Sequence, residues 1–395
     1  MFWFCLAIIA YTFVGYGLLL YMLVGLKRIW FKSPAWNNTR EFLPSVTLIV
    51  AAYNEEGVIE EKIKNSLEID YPSEKLEIIF ITDGSTDRTP KMVQQFEGIT
   101  HLHEAARRGK IAAIKRAMAS VKSDITVFTD ANTFLNKAAI KKLVRHYRTP
   151  SVGAVAGEKR ISLPDAADAS AAGEGFYWKY ESWLKRLDYA LYSNVGAAGE
   201  LFSIRTALFP YVEEDTIIDD HMIAMRIAEK GYIIGYEPKA YASETASENT
   251  SEELKRKIRI AAGGMQSILR LPIAANPFKY PVFCFQYVSH RVLRWTIVPF
   301  LLVLVLLLNV LLVIREQGSI YVVMLCGQFA FYALALIGML MERISLKIKA
   351  FFIPYYFCLM NYAVIAGIFR YFSGRQSAVW EKSKRKNEVK LPHLK

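Results

Sequence analysis

Cysteine is scarce in this chain: four residues in 395, Cys5, Cys284, Cys326 and Cys358. Most lie inside or beside apolar runs, so the polar centre is almost without thiols, which excludes a disulfide framework and a thiolate zinc site. Histidine is nearly as sparse, with six residues and none at ligand spacing from His221. Charged residues make up 22% against 53% hydrophobic ones, too apolar for disorder and more apolar than a typical soluble enzyme. No Gly-x-Gly-x-x-Gly follows the first strand-like segment and no Walker A is present, which weakens dinucleotide and P-loop readings. No basic stretch carries a nucleic-acid reading motif, so nucleic acid is not an expected partner despite the formal charge of +12.

The positive charge sits beside apolar runs. From Arg370 onward there are eight Lys/Arg against two Glu, and Lys27, Arg28 and Lys32 follow the first run. Such placement means anchoring at a membrane, with the basic side cytoplasmic. Residues 2–26 carry no charge and exceed the roughly 20 residues needed to cross hydrocarbon. A signal peptide would start basic and have a shorter apolar core, so a retained anchor is expected, with its N-terminus outside. Residues 296–314, 320–341 and 350–369 supply three more candidate spans, and the aromatic and basic stretch 280–295 suits an interfacial helix. Four crossings would put the basic tail 370–395 outside, against the positive-inside rule. Pro354 and Asn361 leave the last run open to a re-entrant or interfacial role.

Between these runs the pattern changes. Residues 45–52 form a continuous β-branched apolar run, as a buried parallel strand requires. A turn at 53–57, a helical pattern to Leu67, a second strand at 76–82, a helix at 110–121 and a strand at 124–129 follow. Strands separated by helices argue for βαβ units and a doubly wound α/β sheet, whose ligands bind at the carboxyl ends of the strands. Those ends read Tyr53-Asn54-Glu55, Asp83-Gly84-Ser85-Thr86-Asp87 and Asp130-Ala131-Asn132. Each alone suits an ordinary surface turn. Together they suit a hydrated sugar or base, or a cation bridging a diphosphate.

The ordered series Val-Ala-Ala-Tyr-Asn-Glu-Glu, Thr-Asp-Gly-Ser-Thr-Asp-Arg-Thr, Arg108-Gly109-Lys110, Thr-Asp-Ala-Asn, Ile-Asp-Asp-His and Arg-Lys-Ile-Arg-Ile resembles the family 2 glycosyltransferases. The likeness is to their membrane-embedded branch of cellulose, hyaluronan and poly-N-acetylglucosamine synthases, and it covers about 45–269. It implies a glycosyltransferase A-type, Rossmann-like α/β catalytic domain with flanking transmembrane helices, and inverting transfer from a nucleotide sugar. The expected layout is an anchor at 1–26, a basic linker at 27–44, a cytoplasmic catalytic domain at 45–279, an interfacial helix at 280–295, membrane helices at 296–369 and a basic tail at 370–395.

By the same resemblance, Tyr53 and Glu55 line the base pocket and Asp83 contacts base or ribose. Lys110, opening a helix, attracts phosphate. Asp130 approaches the donor diphosphate, and Asn132 takes the position that normally ligates Mg²⁺ or Mn²⁺; its amide brings no charge, so metal dependence is weakened. Asp220 aligns with the catalytic base, its alternative being a helix N-cap. His221 is a neighbour and not a second base. Gly199 and Glu200 match the acceptor-side loop, a tight turn being the plainer reading. Arg259 matches the arginine that pairs with the pyrophosphate, whereas Arg256 and Ile260 replace the Gln and Trp of Gln-x-x-Arg-Trp. Without that Trp, short or single additions are expected instead of processive polymerisation.

The expected partners are thus a nucleotide-sugar donor, a UDP-sugar by preference, a polysaccharide or lipid-linked saccharide acceptor, and the bilayer of the inner (plasma) membrane. A non-processive single-sugar transferase, or a non-catalytic scaffold of an export complex, are the alternatives.

Overall fold

A computed structural model describes residues 1–30, 41–162, 169–245, 250–343 and 349–377. Lys32, part of the basic linker and the tail beyond 377 lie outside the described residues.

In chain order the helices are α1 (Phe2–Trp30), α2 (Ile59–Leu67), α3 (Thr89–Val93), α4 (Lys110–Met118), α5 (Ala139–Val144), α6 (Ala169–Leu191), α7 (Asp219–Glu229), α8 (Thr250–Arg270), α9 (Pro281–Trp295), α10 (Val298–Ile314), α11 (Ser319–Arg343) and α12 (Lys349–Phe372). The strands are β1 (Val46–Ala52), β2 (Leu76–Asp83), β3 (Thr100–Glu104), β4 (Ile125–Asp130), β5 (Phe134–Leu135), β6 (Val152–Ser162), β7 (Phe202–Arg205) and β8 (Ile233–Thr245). They form one sheet in the order β3-β2-β1-β4-β7-β6-β8-β5.

The first half of the sheet is parallel: β1 lies between β2 and β4, and β3 flanks β2. Successive side chains of a strand point to opposite faces, so the continuous apolar runs expected from the sequence fill two cores. Leu48, Val50, Phe80 and Val127 pack with Ile63 of α2 and Ile140 of α5. Ile49, Ile79, Ile81 and Phe128 pack with Ile114 of α4 and Ile223 of α7. Beyond β4 the direction changes. The four-residue β7 runs antiparallel to both β4 and β6, and β6 then pairs in parallel with β8. β7 begins just after the loop 196–200 and its start pairs with the end of β4, which sets that loop beside the β4 end.

Three helices are long and apolar enough to cross a membrane: Phe2–Trp30, Ser319–Glu342 and Ala350–Phe372. The pair α9 and α10, bent by 60° at a short break, gives a fourth if it acts as one span. The stretch expected to lie flat in the interface is helical, and it buries Phe283 and Tyr287 in the second core of the α/β sheet.

The first helix is tied to the α/β domain by polar contacts. The Tyr16 hydroxyl donates to Asp188 of α6 (2.5 Å), the Tyr180 hydroxyl to the Phe13 carbonyl (2.7 Å), and the Lys27 ammonium to the carbonyls of Ala190 and Leu191 (3.0 and 2.6 Å). Lys27 thereby satisfies the open C-terminal carbonyls of α6, a role ordinary for a lysine at a helix end. His290 of α9 completes the junction, its ring nitrogens 2.6 Å from Asp188 and 3.2 Å from Glu181.

Candidate active site

The carboxyl ends of β1, β2 and β4 do converge. At the end of β2, Asp83 Oδ2 accepts the backbone N–H groups of Arg108 (3.0 Å) and Gly109 (2.8 Å), fixing the loop that opens α4. The close approach requires the glycine that follows Asp83. Gly84 has φ +66°, and a Cβ there would stand 2.4 Å from Cβ of Arg107. Asp83 Oδ1 is buried without a hydrogen bond, with Arg116 3.7 Å away. Arg107 covers the Tyr53 ring at 3.7 Å and donates to its hydroxyl at 3.1 Å. Tyr53, Asp83, Arg107, Gly109 and Lys110 line a small hollow of about 30 Å³.

Gly109 and Lys110 also line the main cavity, of about 250 Å³. Asp130, Gly199, Glu200, Asp220 and Arg259 stand on its walls. The Lys110 ammonium is 2.8 Å from Asp130 and 3.7 Å from Asp219. Burial works against its charge, but Asp130, Asp219 and Asp220 hold its pKa well above the ordinary lysine value. Gly199 is the floor on which these groups meet. A Cβ on it would lie 3.1 Å from Lys110 Nζ and 3.4 Å from both Asp130 Oδ2 and Asp220 Oδ2. The absence of a side chain at 199 therefore keeps open the space between these three charged groups.

Asp220 occupies the first turn of α7 and accepts the His221 backbone N–H on Oδ1 (2.8 Å). The N-cap alternative does not hold: Ile218 is the cap position, with no side-chain cap bond, and Asp220 lies inside the first turn, bonding only its neighbour's N–H. Burial, then the adjacent Asp219 carboxylate, pushes the Asp220 pKa up to about 7. Burial also raises that of Asp130, against the opposing pull of Lys110. His221 is lowered to about 3 by burial and Arg291, and so is neutral at physiological pH. Arg259 donates to the Ile217 carbonyl (3.1 Å). Burial lowers its pKa while Asp219 and Asp220 oppose the shift.

Not every expected residue joins the cavity. Glu55 is buried beneath the first turn, its backbone N–H donating to Thr89 Oγ1 (2.8 Å), and lines neither hollow. Asn132 is half-buried two residues past Asp130 and is not on the cavity wall. Glu200 does reach the wall, but Lys159 holds it at 2.7 Å and also pairs with Glu244, which Arg256 approaches at 3.4 Å. Burial opposes the Glu200 charge, but Lys159 and Arg256 together hold its pKa below the ordinary value.

Other lining residues were not singled out from the sequence. Tyr177 and Trp178 of α6 and Trp295 of α9 bring aromatic rings to the cavity where Ile260 brings none. Only the dense aromatic run at Tyr177-Trp178 and the Trp closing 280–295 signalled them. Lys62 of α2 is fully buried. It donates to the Thr133 carbonyl (2.6 Å) and to Thr129 Oγ1 (3.2 Å), pinning both sides of the Asp130-Ala131-Asn132 turn. Burial lowers its pKa to about 7.

Among the described residues no group of three or more His, Cys, Asp or Glu forms a metal site. Asp130 nevertheless offers a hard oxygen at the cavity wall. This suits Mg²⁺ or Mn²⁺ of the kind that takes one or two carboxylates and completes its shell with substrate phosphates and water.

The glycosyl transferase family 2 model matches residues 47–205. The chain is 26% identical over 270 residues to poly-beta-1,6-N-acetyl-D-glucosamine synthase of Staphylococcus aureus (strain MSSA476), covering 66% of this chain and 64% of that protein. It is 25% identical over 261 residues to the probable glycosyltransferase YdaM of Bacillus subtilis (strain 168), covering 60% and 59%. The chain thus spans less than two thirds of the length of these relatives. The mannosyltransferase PcManGT of Pyrobaculum calidifontis, solved with GDP-Man and Mn2+, superposes with a TM-score of 0.70 at 25% identity, over 94% of this chain and 99% of that one. The fold is therefore of the glycosyltransferase A type, and residues 47–205 match the family 2 glycosyl transferase model, in a chain that also carries helices apolar enough to cross a membrane.

Proposed function

We propose that this protein is an inverting membrane glycosyltransferase that moves a sugar from a nucleotide-sugar donor to a saccharide hydroxyl, forming a β-linkage. The observation that carries the reading is the meeting of Lys110, Asp130 and Asp220 over the bare backbone of Gly199. The nucleoside belongs at Tyr53 and Asp83, where an aromatic face and a carboxylate suit a base and a ribose hydroxyl, once Arg107 moves off the Tyr53 ring and the small hollow there widens. The diphosphate lies at Lys110 and the start of α4, with Arg259 as a second cation. A divalent cation held by Asp130, with Asn132 its neighbour on the same turn, would neutralise the diphosphate when the donor is bound.

Asp220 then faces the acceptor. Its carboxylate removes the proton as the hydroxyl oxygen attacks the anomeric carbon. The bond from that carbon to the diphosphate breaks from the opposite side, the electron pair leaves with the nucleoside diphosphate, and the configuration inverts. The half-buried rings of Trp178 and Trp295 offer flat apolar faces on which an acceptor sugar can pack. Retention of Asp83, Asp130, Asp220 and Arg259 together argues against a non-catalytic scaffold. Nucleotide sugars are cytoplasmic metabolites, so the catalytic domain faces the cytoplasm from the plasma membrane.

The test is a radiolabelled donor panel, UDP- and GDP-sugars alike, on the purified full-length protein with saccharide acceptors. We expect one donor to support transfer, with a β-configured product by NMR. Absence of both transfer and donor hydrolysis across the panel, with the protein folded, would overturn the reading.

A further inference from the structure

Lys62 takes no part in the transfer step, yet its side chain in α2 is fully buried. Among the described residues its ammonium bonds only to neutral oxygens, the Thr133 carbonyl (2.6 Å) and Thr129 Oγ1 (3.2 Å). A buried ammonium without a carboxylate in contact is costly. An apolar side chain of similar length would fill the same space without that cost, so the position calls for what the ammonium holds.

Both of its partners pass the contact on. Thr129 Oγ1 accepts from Lys62 and donates to the Glu200 carbonyl (2.8 Å). Thr133 Oγ1 donates to the Asp130 carbonyl (2.9 Å), and the two hydroxyls lie 3.0 Å apart. Glu200 follows Gly199, the bare residue between Lys110, Asp130 and Asp220. β4 and β7 stop pairing at Phe128 and Phe202, so their ladder reaches neither Asp130 nor Glu200. The two hydroxyls continue the tie where the ladder ends, and Lys62 sits beneath both. The support is itself fixed. Asn65, three residues on and on the same side of α2, exchanges two hydrogen bonds with the backbone of Leu135 (2.9 and 2.8 Å). α2 therefore holds the 129–135 segment at both ends.

We propose that Lys62 is a positioning residue of the transfer site, anchoring Asp130 against the Gly199 floor and so setting the affinity for the divalent cation with its diphosphate. This rests on the transferase reading above and deepens it. Lys62 touches neither donor nor cation and acts through Thr129 and Thr133. Groups that orient a metal ligand in this way are worth about 10- to 100-fold in metal affinity.

The experiment measures Mn²⁺ binding to the full-length protein by electron paramagnetic resonance, with UDP or GDP present and no acceptor. K62M is expected to weaken Mn²⁺ about tenfold or more. T133V, which removes the hydroxyl on the Asp130 carbonyl, weakens it by a smaller factor, and T133S, which keeps that hydroxyl, retains the native affinity. I63A separates position from stability. It opens a cavity in the core beside the same helix, so it lowers the melting temperature and leaves Mn²⁺ affinity unchanged. An unchanged or tighter affinity in K62M overturns the inference, and so does equal weakening in I63A, since any loosening of α2 would then act alike. Should K62M fail to fold, T133V against T133S decides. Nucleotide bound without Mn²⁺ in the native protein removes this inference and leaves the transferase. Absence of nucleotide binding with the protein folded removes the transferase reading itself.

Discussion

Gly199 owes its identity to its neighbours, since a single methyl there would enter the space shared by Lys110, Asp130 and Asp220. G199A is expected to lower the transfer rate measurably, because the Lys110 ammonium must move off by a few tenths of an ångström to admit the methyl, with thermal unfolding unchanged. Asp220→Asn should abolish transfer and preserve donor affinity, because an amide cannot take the hydroxyl proton. The same carboxyl sets a pH dependence. With its pKa raised to about 7, the base form is lost as pH falls through 7, and the rate should drop about tenfold per unit below that point. A profile flat from pH 7 to 5 would move the base elsewhere. EDTA should suppress activity, and N132D should lower the Mn²⁺ concentration needed to restore it, since a carboxylate adds charge to a hard-cation site. An unchanged titration would leave Asp130 as the protein's only contribution to the cation. Asp130 and Asp220 were legible in the sequence because each closes or opens a regular element at a fixed place in the motif series. Trp178 and Trp295 were signalled only by aromatic density, because helices distant in sequence bring them to the cavity.

Helices and strands differed in the same way. The runs at 45–52, 76–82 and 124–129 were readable because a parallel strand buried on both faces is apolar throughout. β6 and β8 were not, since Lys159, Glu237 and Glu244 interrupt them. In the fold those charges are buried in pairs: Lys159 with Glu200 and Glu244, and Glu237 with Arg145 and His146. At α9 the basic and aromatic composition suggested an interfacial helix, but His290 and Gln286 are fully buried against α6. Asp188 is the centre of that contact, accepting from Tyr16 and Gln286 beside His290. Asp188→Ala should cost about 3–5 kcal/mol, the range for breaking a buried charged network by removing one partner. Thermal unfolding in detergent would show it as a clear drop in melting temperature.

The whole molecule decides product length. A processive synthase grips its product while donor is exchanged, and Ile260 supplies no flat face for that grip, whereas Trp178 and Trp295 supply two from other elements. Aromatic packing of this kind is worth about 1 kcal/mol, which changes residence roughly tenfold or less, too little to retain a chain without a channel. Pulse labelling followed by excess unlabelled donor should therefore give short or single additions, whereas long polymer from the first turnovers would show retention by the membrane helices.

Tyr16 and Asp188 are separated by 172 residues of sequence, and that interval has a consequence for how the protein is made. At about 5–20 residues per second of synthesis, α1 emerges roughly 9 to 34 s before its partner on α6 exists, and His290 follows later still. During that interval the hydroxyl of Tyr16 has none of its final partners. The seam between α1 and α6 therefore closes only when Asp188 and then His290 are made, and the contact of Trp3 with Tyr321, 318 residues apart, closes later still.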